Sequence, residues 1–385
     1  VSNLGDGIVL AAGPLLVTSI TTEPFAVAAA VFAQRIPWLL FGLQAGAIVD
    51  RVDRRKLIIR VDVLRGMLLG LLGLSIVLDF VSLPIIYMTM FLLGTGETFA
   101  DNARSALVAT AVPRTGLGPA NARMFGTLIV TNQLAGPPLG ALIFAASTDF
   151  PFWVDAVSFV LAAALITRVR YEPLAVSIDK PHIRHQVMEG LRWLASNPPV
   201  RTLVIMITAF NITFGAAFGI LVLYAKERLG VSDVGFGMLL ASTAVGGVLG
   251  SLAFSALERR TTYATLLRIG LIVECLTHLI LALTRSYIVA GAVLTLFGVH
   301  AIVWGTSSTT VRQKLVPPSL LGRVTSVHML GSFGALALGS LLGGVIANRW
   351  GITAPFWFAF AGSVVILLLV WRAIGYVTQE AEEPA

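Results

Sequence analysis

Charge is scarce in this chain. Asp, Glu, Lys and Arg make up 12 % of its 385 residues, against about a quarter in a soluble domain, which excludes an ordinary water-soluble globule. Cysteine is almost absent. Cys275 stands alone inside an apolar run, so no internal disulfide can form, and it says nothing of redox compartment. There is no Walker A pattern, no His-Glu-x-x-His helix and no Gly-x-Ser-x-Gly turn. These absences argue against ATP-driven transport within the chain and leave a membrane enzyme without machinery, and we expect no cofactor and no metal. We also expect no cleavable leader. Val1 opens almost directly into an apolar segment, and we expect the first helix to be incomplete at its start.

What is present is apolar: 56 % of residues are hydrophobic and the mean hydropathy is +0.87. Runs of about twenty apolar residues recur, the length a helix needs to cross a bilayer. Backbone groups cannot stay unpaired in lipid, so the runs must be helical. Breakers divide the first half into spans ending near Ile20, then Phe25–Val49, Leu57–Leu78, Pro84–Leu107, Ala122–Ala146 and Phe152–Thr167. The second half gives spans near 202–224, 234–257, 261–283, 287–309, 323–347 and 354–374. The expected division is a first half over 1–170, a connector over 171–200, a second half over 201–376 and an acidic, unstructured tail over 377–385. Within the connector, His185 to Ala195 reads as a short amphipathic helix lying on the membrane surface.

The formal charge of +7 needs no nucleic acid to explain it. One set of loops and span ends carries 21 of the 27 cations, among them Arg51, Arg54, Arg55, Lys56, Arg259, Arg260 and Arg312. The opposite set holds Lys226, Arg228, Arg285 and Arg349. That asymmetry places the first set, the connector and both termini in the cytoplasm.

A constant offset of 204 residues relates the halves: Gly46 to Gly250, Arg55 to Arg259, Gly94 to Gly298, Pro113 to Pro317, and Pro151-Phe152-Trp153 to Pro355-Phe356-Trp357. Such a repeat points to duplication of a six-helix unit.

Between spans 2 and 3 the chain reads Gly46-Ala47-Ile48-Val49-Asp50-Arg51-Val52-Asp53-Arg54-Arg55-Lys56, with four cations and two carboxylates in its last seven positions. So charged a turn must be wet. Its spacing, G-x-x-x-D-R-x-x-R-R, resembles the loop between helices 2 and 3 of the major facilitator superfamily of secondary transporters. The form resembles that of the subgroup of drug, macrolide and siderophore exporters that includes the enterobactin exporter. Asp53 stands where that pattern usually has glycine. In span 5, Gly136-Pro137-Pro138-Leu139-Gly140-Ala141 resembles the antiporter motif G-P-x-x-G-[GA] of exporters in the same superfamily. The resemblance covers nearly the whole chain. It implies an all-α membrane protein with twelve transmembrane helices in two pseudo-symmetric six-helix halves, a major facilitator fold. It also implies a monomer in the bacterial cytoplasmic (inner) membrane, whose partners are a small-molecule substrate, protons and the lipid bilayer, with no nucleic acid.

Ionisable groups within a bilayer are functional candidates by default, because each costs about 2.5–3.5 kcal/mol even on insertion scales. Glu97 lies about 20 Å into span 4 at about 1.5 Å per residue, and Asp6 falls at a similar depth in span 1. His300 in span 10 lies near the same level. The resemblance implies that spans 1, 4, 7 and 10 line a central cavity, so Asp6, Glu97 and His300 are expected to bind proton and substrate there. The structural alternatives are hydrogen bonds from Glu97 to Thr or Ser neighbours and a satisfied core imidazole at His300. Asp101 and Arg104 follow Glu97 by one and two turns. The resemblance pairs Asp101 with Arg54 and makes Gly46, Asp50, Arg51, Arg54, Arg55, Asp101 and Arg104 an inner gate. Asp50 is expected at the start of span 11, whose dipole favours a carboxylate. Gly136, Pro137 and Gly140 supply close packing and a bend.

Lesser candidates are Gln34 and Arg35 facing the interior, and Asp62 with Arg65 and Glu274 with His278 as ion pairs within one helix. Asp155 is expected at the interface, and Trp38, Trp153, Trp350, Trp357 and Trp371 in aromatic belts. Phe41, Phe99, Phe214, Phe218 and Trp304 are candidates for an apolar cavity wall. The expected function is proton-coupled antiport that exports hydrophobic or amphipathic small molecules by alternating access. Uptake or lysophospholipid transport on the same fold is the alternative, and a transport-inactive sensor is the reading from another class.

Overall fold

A computed structural model describes residues 1–49, 51–113, 116–169, 183–317 and 320–382. Asp50, and with it the expected contact to span 11, lies outside them. The helices are α1 (Ser2–Ile20), α2 (Pro24–Val49), α3 (Arg54–Val77), α4 (Leu83–Ala111), α5 (Leu117–Ala146), α6 (Phe150–Ile166) and α7 (Ile183–Ser196). There follow α8 (Pro198–Phe218), α9 (Asp233–Arg260), α10 (Tyr263–Leu283), α11 (Tyr287–Leu315), α12 (Leu321–Trp350) and α13 (Ala354–Glu382). Among the described residues there is no strand, and ten helices are long and apolar enough to cross a bilayer. Charge keeps α3 out of that ten, and α6, at 17 residues, is too short for it. The chain forms two compact units, Val1–Ile183 with Val231–Ala241, and Arg184–Gly230 with Ser242–Ala385.

Lipid gives helices no hydrophobic reason to associate, so close backbone approach between small residues must supply much of the cohesion. In the first unit α1 lies on α5. A Cβ at Gly7 would stand 2.3 Å from Asn132 O, and one at Gly140 would stand 2.2 Å from Ile8 O. Likewise α2 lies on α4, where a Cβ at Gly94 would come within 2.1 Å of Gln34 O. The second unit repeats both pairings. Gly343 seats α12 on α8, 2.0 Å from Ala216 O, and Gly298 seats α11 on α9, 2.0 Å from Thr243 O. Gly94 and Gly298 are the pair related by the 204-residue offset, and they do the same work in each unit.

The expected bend in α5 takes a specific form. Residues Leu128–Ala135 wind with the wider π-helical turn, and Gly136 N–H bonds Thr131 O. Pro137 and Pro138 have no N–H to offer the carbonyls one α-turn back, and the slipped register accommodates that loss. Large apolar side chains such as Ile288, 80 % exposed, and Leu369, 76 % exposed, face outward where lipid would cover them.

Three expectations change. The connector helix α7 docks on protein, with Val187, Trp193 and Leu194 packed against Val200, Val204, Val316, Val324 and Val327. Its Glu189 also pairs with Arg323 at the start of α12. The acidic tail continues α13 to Glu382 instead of lying unstructured. Arg312, counted among the loop cations, lies inside α11 and is 6 % exposed, because that helix runs a turn and a half past its expected end.

The packing predicts that Gly140→Val, which drives a side chain into the α1 backbone, lowers the thermal unfolding midpoint by several degrees, equivalent to about 1–3 kcal/mol. Gly46→Ala, where a Cβ meets nothing within 4 Å, should leave the midpoint unchanged.

Candidate functional site

Arg65 sits on α3, 4 % exposed, inside the first unit. Its Nη2 donates to Asp6 Oδ1 on α1 at 2.8 Å, and its guanidinium lies 4.3 Å over the Phe159 ring of α6. Glu97, Asp155 and Asp62 are the other carboxylates whose charge reaches it. Gly96, beside Glu97, clears the way for the arginine stem, whose Cγ and Cδ would lie 2.9 Å from a Cβ there. A second cation extends the network. Arg104 on α4 donates to Asp62 Oδ1 at 2.7 Å and to Asp101 Oδ1 at 3.3 Å.

Asp62 and Arg65 therefore do not form the expected pair within α3. Each turns to a partner on another helix, Asp62 to Arg104 and Arg65 to Asp6, where charge on charge is directly hydrogen-bonded. Asp155 is not interfacial. It is 1 % exposed, accepts a hydrogen bond from Ser158 at 2.8 Å, and fits because Gly5 leaves the space that a Cβ would take. Glu97 is half-buried, with Arg65 and Arg35 as the cations acting on it. Among the described residues neither Glu97 nor Asp155 holds a direct ion pair.

The charged turn after α2 also resolves in part. Asp53, in the place of the usual glycine, caps α3 by accepting from Lys56 N at 3.1 Å. Arg54 Nη1 donates to Ala106 O at 3.3 Å and Thr110 Oγ1 at 3.5 Å, near the end of α4. Arg55 Nη1 donates to Val169 O at 3.0 Å. Arg51 is exposed. These arginines tie the ends of α4 and α6 to the start of α3, while Asp101 is held by Arg104. In the α5 motif, Gly136 packs on Gly7 and Gly140 on Ile8, and Gly237 seats against Pro137 O.

In the second unit His300 meets Glu274. Its Nε2 lies 3.0 Å from Glu274 Oε2, and His278 Nε2 lies 3.2 Å from Oε1 of the same carboxylate. The three side chains are at most 8 % exposed. Beside them Phe297 stacks on Phe214 at 5.3 Å, Phe214 stacks on Phe218 at 4.1 Å, and His300 meets the Phe297 ring edge-on at 5.8 Å.

A family profile described as transmembrane secretion effector matches residues 1–383. The chain belongs to that family. It is thus a major facilitator transporter and not an enzyme. The chain is 26 % identical to the multidrug efflux pump Tap of Mycolicibacterium fortuitum, over 95 % of this chain and 90 % of that one. It is 24 % identical to macrolide efflux protein A of Streptococcus pyogenes, over 87 % and 83 %. Its fold is similar to that of a bacterial homologue of the iron transporter ferroportin, with TM-score 0.72 and 17 % identity over 99 % and 96 % of the two chains. The nucleoside transporter NupG gives TM-score 0.72 and 11 % identity over 97 % of each.

Sequence reasoning put Arg65, Asp155 and Glu274 among minor candidates. The signal was there, since each is an ionisable residue in an apolar span. Their partners sit on other helices, which spacing along one helix does not report.

Removing Arg65 alone would leave buried carboxylates without their cation. Arg65→Ala is expected to cost about 3–5 kcal/mol, seen as loss of folded protein in detergent. Asp6→Asn combined with Arg65→Gln should recover much of it.

Proposed function

We propose that this transporter is a proton-coupled exporter of hydrophobic or amphipathic small molecules, with the Arg65 cluster as the site where protons and substrate exchange. One observation carries the reading. Five carboxylates, Asp6, Asp62, Glu97, Asp101 and Asp155, face three guanidinium groups, Arg35, Arg65 and Arg104. Fully ionised, the cluster would hold excess negative charge in a medium that tolerates little. Protons, or a cationic substrate, are the natural means of removing it.

Glu97 and Asp155 are the natural proton carriers, since each lacks a direct ion pair. The Asp6–Arg65 bond responds to them: a proton lost from Glu97 gives Arg65 a second anion to turn to. A cation binding at Glu97 displaces its proton, and a proton returning displaces the cation, which is antiport. The energy comes from the proton gradient, whose electrical part supplies about 2.3 kcal/mol per charge per 100 mV. The efflux names carried by the relatives support export as the direction. The same reading makes α3 and α6 spans alongside the ten, giving twelve in two halves that alternate access, and makes the arginine-rich turn an inner gate. It places a monomer in the bacterial cytoplasmic membrane with both termini in the cytoplasm.

The test uses cells stripped of their own efflux pumps and follows accumulation of fluorescent cations and macrolides. Wild type should lower accumulation several-fold. A protonophore or Glu97→Gln should abolish that at equal membrane abundance. Pumping that ignores the protonophore would overturn proton coupling, and full pumping by Glu97→Gln would remove Glu97 from the mechanism.

A further inference from the structure

The contrast between two buried arginines is informative. Arg65 has four carboxylates around it, whereas no carboxylate acts on Arg312 among the described residues. Arg312 is 6 % exposed on α11, and its Nε has no hydrogen-bond partner. Among the described residues the ionisable group it does act on is His328 of α12. One helical turn from each of the two stand more polar atoms without partners. Ser308, one turn before Arg312 and 2 % exposed, has a free Oγ, as does Ser332, one turn after His328, and His328 Nδ1 is unpartnered too.

Two simpler accounts fall short. Arg312 stands in the last turn of α11, where the helix dipole favours a cation. That partial charge is only about half an electron, and Arg312 makes no hydrogen bond to the terminal carbonyls, unlike Arg54 at the end of α4. Water can satisfy hydroxyl groups, but it cannot neutralise a buried guanidinium, which needs an anion.

We propose that Arg312, with Ser308, His328 and Ser332, forms an oxyanion-binding site that takes the carboxylate, sulfonate or phosphate group of an amphipathic molecule. The guanidinium supplies charge and forked donors that match such a group. Hydroxyls of Ser308 and Ser332 supply neutral donors beside it. The sequence places this site in one half alone, since the 204-residue offset sets Val108 opposite Arg312. The inference does not depend on which ion drives transport. Its ligand is the anionic group of a transported solute or that of a lipid headgroup.

The experiment measures thermal unfolding of the full chain in nanodiscs of phosphatidylcholine, with benzoate, phenylphosphonate or the neutral benzamide added. A ligand that binds only the folded state raises the midpoint, by several degrees at about a hundredfold over its Kd. Benzoate or phenylphosphonate should raise the wild-type midpoint while benzamide does not. Arg312→Gln should abolish the rise, and Arg312→Lys should keep part of it. A lipid occupant would show instead in nanodiscs containing phosphatidylglycerol. Wild type would then be stabilised over Arg312→Gln before any addition, and benzoate would add nothing. Equal midpoints for wild type and Arg312→Gln across both anions and both lipids would overturn the proposal. So would equal shifts with benzoate and benzamide.

Discussion

A guanidinium inside a bilayer must be neutralised where it stands, and the way Arg65 is neutralised ties much of the first unit together. Its carboxylate neighbours come from α1, α4 and α6 as well as from α3 itself. Four helices are thus held to one charge, and a shift of any one of them changes what the arginine faces. Glycines make this geometry available. Gly5 makes room for Asp155, and Gly96 makes room for the stem of Arg65. Electrostatics and packing are here the same constraint, since charge can be paired across helices only where backbones come close enough.

The same constraint connects structure to transport. A network in which carboxylates outnumber cations has one stable occupancy when protonated and another when a cation takes the proton's place. In the proposed mechanism, two occupancies that favour different arrangements of Arg65 would give a coupled switch, because a ligand shifts an equilibrium only by what it gains in one state over the other. The second unit carries a smaller version, in which two imidazoles share Glu274. It also holds, in Arg312, a buried cation on which no carboxylate acts among the described residues. The two units therefore share a scaffold of glycine-seated helix pairs while differing in charge.

Much of the fold was legible in the sequence. Helices were demanded by apolar runs that lipid would surround, and the 204-residue offset already pointed to two related halves. Gly94 and Gly298 show why the offset persists, since each seats one helix on the carbonyl of another. Helix ends were less legible: α11 keeps helical hydrogen bonding to Leu315, past the apolar run, and so carries Arg312 inside. Candidate residues such as Glu97 and Asp6 stood out as charges in apolar spans. Their partners did not, because Arg65 and Asp62 differ by three positions and look like a pair until tertiary structure turns them to different helices. Asp53 is the reverse case, a departure from the motif that local chemistry explains as a helix cap.

The central claim is that the Arg65 cluster holds protons that it can exchange. Infrared difference spectroscopy of the purified protein at neutral pH reads it most directly, through the carbonyl stretch of protonated carboxyl groups inside the membrane. The account predicts such a band in wild type, lost when Glu97→Gln and Asp155→Asn are combined and diminished when a cationic substrate binds. A spectrum with no protonated carboxyl band at neutral pH, or one that the two substitutions leave untouched, would contradict it.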